Sequence, residues 1–365
     1  MRLVDTGMRM RIKQRGANFA GAAHALHQRY ARIFWMAHSA WALFTGIVVL
    51  VLAHNRYGFL KWVVLFLALT WASTLVISRY ASFFNTPKMR FAQGFVSYLT
   101  RVMYQETLFF LLPFYFYSTT FPSWNSAFVV LLAGLAVLSC FDLLFDRLLR
   151  ERKAFALGFF AVVTFSALVF FLPLLLGVRI HHAGFLAAVM AFLAAIPLAY
   201  SWRELLSFRV MARLVVALML VVAGARLIRP AVPPVPLRLM KLRFAPLIDT
   251  STLRLAKELP ARISTAELGA GRLYAVATIF SPTQLTASVS IRFVHDGKAT
   301  RPNRTVDLVA HPRGFRVWSV MRSGPRGFAP GIYQAEVWTG EGQLIGRESI
   351  ELVAEPEPLV GSPRS

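Results

Sequence analysis

Apolar stretches of span length fill the chain from residue 33 to residue 228, and a two-residue alternation replaces them afterwards. The stretches are Ile33–Ala53, Leu60–Ile77, Tyr98–Thr119, Ser126–Phe145, Ala154–Leu176, Gly184–Tyr200 and Val210–Ile228. A bilayer core about 30 Å thick is crossed by about 20 apolar residues in a helix. Seven such segments predict a polytopic α-helical membrane domain. The seventh is the weakest, because Arg213 and Arg226 leave only residues 214–225 free of charge. Both arginines stand near its ends, where long side chains reach the headgroups, so a true crossing is expected. After Gly271 the period becomes two. Ala287, Val289, Ile291 and Phe293 alternate with Ser288, Ser290 and Arg292, the pattern of a half-buried strand. Further strands are predicted at 272–280, 304–310, 314–322, 331–338 and 345–353, with turns at Asp296-Gly297 and Gly340-Glu341-Gly342. Short strands at this spacing predict a small all-β domain, an immunoglobulin-like sandwich.

Five regions follow. Residues 1–32 form a basic tail, in which 16–32 reads as an amphipathic helix able to lie on an anionic leaflet. Residues 33–228 form the transmembrane domain. Residues 229–270 form a linker that begins with the Pro-rich run 230–236, read as a stiff spacer, and continues with the basic, apolar stretch 237–244. Within it, 251–259 is expected to form a short helix starting at Ser251. Residues 271–354 form the β-sandwich domain, and 355–365 a loose tail.

Composition agrees with this division: 56% of the 365 residues are hydrophobic, far above the usual soluble share. The net charge of +23 would suit nucleic acid, but its distribution points to topology instead. Basic residues gather in the N-terminal tail and in the loops after spans two, four and six. The intervening loops hold only Arg56, Lys61 and Arg179. That is the positive-inside pattern, and it places the N-terminus in the cytoplasm. With seven spans, the C-terminal domain then lies in the periplasm of a bacterial cell. Cys140 is the one cysteine, so the exported domain has no intramolecular disulfide and relies on its own core.

Residues 272–353 resemble a bacterial family known as domain of unknown function 2914. The resemblance rests on RFVHDGK (292–298), GFRVWSV (314–320), GIYQAEVW (331–338) and GQLIGRESIEL (342–352). His295, Arg316, Trp318, Ser319, Gly331, Tyr333 and Gly342 stand at the family's marked places. The family's Trp after the His is replaced here by Asp296-Gly297-Lys298. The membrane part, including residues 104–118, looks like a companion family, domain of unknown function 5924. The resemblance implies a membrane-tethered extracytoplasmic β-domain and brings no reaction with it.

Ionisable groups inside a bilayer are costly and are candidate functional residues. Arg101, Gln105 and Glu106 on the third span, with Asp142 near the same end of the fourth, form a candidate intramembrane polar cluster. Its functional reading is a proton, ion or substrate site; its bland reading is a neutralised packing contact. Pro113, Pro173 and Pro197 fall inside spans and kink helices without specifying function. In the β-domain, His295, Arg316, Trp318, Tyr333 and Trp338 form a candidate binding face for glycan or peptide. Walker A, HExxH, GxSxG and dinucleotide-loop motifs are missing from the sequence, so it implies neither a cofactor nor a metal. These patterns imply a non-enzymatic inner-membrane protein that presents a periplasmic β-sandwich to an envelope protein or glycan. Two alternatives stay open: a transporter or intramembrane enzyme acting on a lipid-linked substrate, and an accessory subunit of a larger membrane complex.

Overall fold

The computed structural model describes residues 103–354, apart from 250–251, 269–270, 282–286, 301–304, 310, 312 and 326, together with the isolated positions 33, 37, 40, 41, 44, 48 and 65. The basic tail, its expected amphipathic helix and most of the first two expected spans lie outside the described residues. Helix α1 is described over 103–117. It is followed by α2 (Trp124–Ser139), α3 (Asp142–Glu151), α4 (Lys153–Leu176), α5 (Ile180–Ala199), α6 (Trp202–Leu205) and α7 (Phe208–Ile228). By length and composition, the helices within 153–176, 182–199 and 208–231 are long and apolar enough to cross a membrane.

The expected fourth span, Ser126–Phe145, divides. Helix α2 tightens at its end, where the amides of Cys140 and Phe141 donate to the carbonyls of Val137 and Leu138. Chain direction then resets at Phe141, and α3 begins as the strongly amphipathic DLLFDRLLRE. A helix with that much charge lies at a surface, with one apolar edge inward. Phe145 supplies the edge and is fully buried against Phe159 and Phe155.

Aromatic packing holds α1, α2 and α4 together. Phe114 and Phe170 meet at 4.4 Å between ring centroids, and Phe110 packs against both. Tyr115 is fully buried, and its hydroxyl donates to the Ser166 carbonyl at 2.9 Å. That bond satisfies the one polar atom a buried tyrosine brings with it. Helix α7 differs from the others. Leu214 is its one buried residue, while Met211, Val215, Val216, Met219, Leu220, Leu227 and Ile228 are exposed.

The β-domain begins earlier than the sequence pattern suggests. Strand β1 (Arg238–Ala245) occupies the expected linker and pairs antiparallel with β5 (Arg272–Phe280), which pairs with β9 (Phe315–Arg322). The second sheet contains β4 (Arg262–Ser264), β11 (Leu344–Val353), β10 (Gly331–Thr339), β6 (Ser288–His295) and β7 (Lys298–Ala299) in that order, and β8 (Thr305–Asp307) also pairs with β6. Alternate residues from both sheets enter one core: Leu273, Ala275, Ala277 and Val317 from the first, Ile291, Phe293, Ala335, Val337 and Ile350 from the second. Asp296 and Gly297, both at positive φ, close the two-residue β6–β7 hairpin, as the Asp-Gly pair predicts. Among the described residues 252–259, the expected helix is not formed. A small hairpin of β2 (Ile248–Asp249) and β3 (Arg254–Leu255) stands there. Thr252 Oγ1 bonds to Asp249 Oδ2 at 2.6 Å, and Ile248 and Leu255 cover the outer face of the first sheet. Tertiary burial of those two residues overrides the weak helical preference.

The Pro-rich run does not hold the two parts at a distance. After a 3-10 turn at Arg229–Ala231, residues 232–237 are all buried. Val232 and Val235 belong to the helical core, while Leu237 belongs to the β core. Buried polar contacts complete this seam. Asn125, at the start of α2, donates through Nδ2 to the Leu344 carbonyl at 3.1 Å. Its Oδ1 accepts from the Thr120 amide and from the Ser123 hydroxyl. Gln343 Nε2 donates to the Val232 carbonyl at 2.9 Å. Arg347 reaches the Pro122 carbonyl, and Arg229 pairs with Glu341 at 3.3 Å. The β-domain is therefore seated on the end of the helical bundle.

Candidate functional site

The sequence-predicted residues are distributed over several places. In the intramembrane set, Gln105 is buried on α1 and donates through Nε2 to Cys140 Sγ at 3.4 Å. Glu106 is half-buried beside it. Arg101 and the side chain of Asp142 lie outside the described residues. Among the described residues, the structure brings Gln105 to the α2–α3 break.

The five β-domain residues do not share one face. Tyr333 points into the core and donates from its hydroxyl to the Ala329 carbonyl at 2.9 Å. Burial raises its phenol pKa above the ordinary range, with Asp296 adding to the effect and the Ala329 contact opposing it. His295, directly opposite on β6, stacks on the Tyr333 ring at 4.0 Å and 6°. It also meets the Ile332 carbonyl and Asp296 Oδ2, both at 3.3 Å. This pair closes one end of the core. Trp338 lies on the outside of the other sheet face, in a closed set. Its indole N–H donates to Glu336 Oε2 at 2.9 Å, and Arg292 Nε donates to the same oxygen at 2.7 Å. The Arg292 guanidinium sits 3.9 Å over the Trp338 ring. The Trp338 indole and the Arg292 Nε thus share one carboxylate oxygen, and the set rigidifies the sheet.

Arg316 and Trp318 stand on the outer face of the first sheet, and there the structure assembles a site. Lys241, Thr278 and Arg316 are cross-strand neighbours on one rung of β1–β5–β9. The next rung on that face is Arg243, Val276 and Trp318, and the one after is Ala245, Tyr274 and Val320. A cleft of about 440 Å³ opens over the first two rungs, walled by Leu253, Arg254 and Leu255 of the β2–β3 hairpin and by Glu258. Glu258 pairs with Arg243. Lys241, Arg254 and Arg316 are exposed and make no ion pair among the described residues. Lys241 and Arg316 flank Thr278 from the two strands beside β5, with Arg254 on the cleft wall, so the three cations give this cleft a positive potential that an anion would relieve. Trp318 extends the face with an aromatic surface, 6.0 Å from the Tyr274 ring.

Lys241, Arg243, Arg254 and Thr278 escape the sequence reading, although a signal was present. In residues 241–244 basic and apolar positions alternate, which is a strand with one wet face. Asn125 and Gln343 carry no sequence signal, because their partners are backbone carbonyls 219 and 111 residues away. Among the described residues, no three His, Cys, Asp or Glu side chains gather to hold a metal ion.

The profile of the Family of unknown function (DUF5924) matches residues 15–275. The matched stretch runs through the helices, the buried seam and β1, and stops inside β5. No curated protein matches the chain. Among solved structures, the chain is similar to the beta-glucosidase from Listeria innocua in complex with gluconolactone, at 14% identity, with 32% of this chain and 15% of that chain covered and a TM-score of 0.17. A likeness of that size carries neither fold nor activity across. With most of its length inside the matched stretch, the chain belongs to the Family of unknown function (DUF5924).

Proposed function

We propose that the chain is a non-enzymatic protein of the bacterial inner membrane that holds a periplasmic, immunoglobulin-like β-sandwich against the outer end of its helices. The sandwich binds an anionic envelope glycan through the cleft on the β1–β5–β9 face. The observation that carries this reading is the rung Lys241–Thr278–Arg316, with Arg254 above it and one neutralising acid nearby. Trp318 on the adjoining rung supplies the apolar surface that sugar rings stack on. The seam supports the reading, because a site meant to work at fixed height above a bilayer benefits from a seated domain. Arg238, next along β1, lies over the Tyr117 ring of α1 at 5.3 Å, so the cleft stands close to the end of the bundle. The resemblance of residues 272–353 to domain of unknown function 2914 fits an exported β-domain.

Two measurements test it. Alkaline phosphatase fused after Ser365 is expected to be active, and green fluorescent protein at the same place dark; the opposite result would put the cleft in the cytoplasm and end the envelope reading. The purified full chain is expected to bind uronic-acid or phosphorylated oligosaccharides over neutral ones, and Lys241→Glu with Arg316→Glu to remove that preference. Equal binding of charged and neutral sugars would overturn the assignment of ligand, and acidic peptides binding in their place would assign the cleft to a protein partner.

A further inference from the structure

A second cleft lies where the seam meets α5 and α7. Its volume is about 370 Å³. Its apolar floor comes from Phe165 and Val169 of α4, Ile180 of α5 and Val222 of α7. Its polar rim comes from Arg226, Arg229, Glu341 and Gln343. Val222, Ala225 and Arg226 on α7 and Arg229 at the start of the 3-10 turn follow one another at helical spacing, so a single stripe runs from apolar to cationic as it reaches the bundle's end. Elsewhere on α7, Met219, Leu220 and Leu227 are strongly exposed. Arg229 is answered by Glu341 at 3.3 Å, but Arg226 is exposed and has no ion pair among the described residues. The rim thus carries one net positive charge beside an apolar floor that opens between two helices.

We propose that this cleft binds the headgroup end of an anionic phospholipid, with an acyl chain along Val222 and Val169 and the phosphate at Arg226. The inference rests on the proposal that α7 crosses the membrane. Charge complementarity selects the occupant. A zwitterionic lipid brings a cation along with its phosphate and so leaves the rim's net charge uncompensated, and a free phosphate would leave the floor uncovered. Arginine suits phosphate because its planar donors meet two oxygens at once. A basic residue in the last turn of a helix also favours the helix dipole, and that simpler role predicts no dependence on lipid charge.

The test uses the full chain extracted from membranes into mixed micelles of phosphatidylglycerol and phosphatidylcholine, with retained lipid counted by native mass spectrometry. Wild type is expected to retain phosphatidylglycerol preferentially. Arg226→Gln removes one charge-assisted contact and is expected to lower that preference by about tenfold. Gly184 lines the cleft, and a Cβ there meets nothing within 4 Å. Gly184→Leu therefore fills the space without disturbing the helix, and is expected to abolish retention. Inorganic phosphate is expected not to compete. Equal retention of both lipids, or unchanged retention in both variants, would overturn the proposal; displacement by inorganic phosphate would assign the rim to a free anion. Extraction of the wild-type chain by alkaline carbonate would instead defeat the membrane reading on which the proposal stands.

Discussion

Asn125 ties the helices to the β-domain through buried hydrogen bonds. It is almost fully buried and joins the 120–123 turn to the Leu344 carbonyl of β11. Asn125→Ala leaves that carbonyl and the Thr120 amide short of partners, at a cost of about 1–3 kcal/mol. The expected result is a lower thermal midpoint for the full chain and faster protease cleavage within 232–237, while the β-domain itself stays resistant. Gly346 makes a second, independent prediction. A Cβ on Gly346 would stand 2.3 Å from Leu239 Cδ2 and 2.7 Å from Leu239 Cβ. Because Leu239 is packed against the β core, Gly346→Ala overpacks it and is expected to destabilise the domain by about 1–3 kcal/mol. Gly134→Ala is the control, since a Cβ at that position on α2 meets nothing within 4 Å. It is expected to be neutral or slightly stabilising by helix propensity.

At the scale of elements, α7 and the seam behave differently from what their sequences suggest. Arg213 and Arg226 make α7 the weakest expected span, yet the helix runs 21 residues, about 31 Å at 1.5 Å per residue. That length matches a bilayer core. Leu218→Arg places a charge at its middle, where insertion costs about 2.5–3.5 kcal/mol. The activity of the C-terminal phosphatase fusion is then expected to fall while protein abundance is held constant. The short helix α6 carries its own pH signature. Glu204 accepts from the Ser201 amide at 2.7 Å and from its hydroxyl, and Ser201 caps the Glu204 amide. Its pKa is lowered, first by the Ser201 amide, then by the hydroxyl, with Lys153 adding to them. A lowered value means the box is intact above the ordinary carboxylate range and opens as pH falls through the folded value; amide exchange at Ser201 is expected to quicken there. Strand β9 was legible because burial alternates along it with period two, whereas β5, buried on both faces over 273–277, read as a short apolar run. β1 was not, because its wet-face residues Lys241 and Arg243 read as membrane-flanking charge beside a Pro-rich run. The burial of Val232, Val235 and Leu237 was equally hidden, since proline density says nothing about what the intervening valines touch.

For the whole molecule, the net charge of +23 has to be apportioned by place. Much of it lies in the N-terminal tail and in alternate loops, the share that the sequence pattern assigns to topology. The share on the β1–β5–β9 face was legible only in part: Arg316 and Trp318 could be named, but the register that sets Lys241 and Arg316 on either side of Thr278 comes from pairing strands far apart in the chain. This placement makes a salt prediction. Lys241, Arg254 and Arg316, without an ion pair among the described residues, are exposed, and charges in water are screened over about 8 Å at 0.15 M ionic strength and about 3 Å at 1 M. Binding of an anionic oligosaccharide to the full chain is therefore expected to weaken steeply as salt rises. The Lys241→Glu, Arg316→Glu variant is expected to bind weakly at low salt and to show a much flatter dependence. A wild-type affinity that holds constant from 0.05 to 1 M salt, as calorimetry would record it, would mean that stacking on Trp318 dominates, and the ligand would then be a neutral sugar.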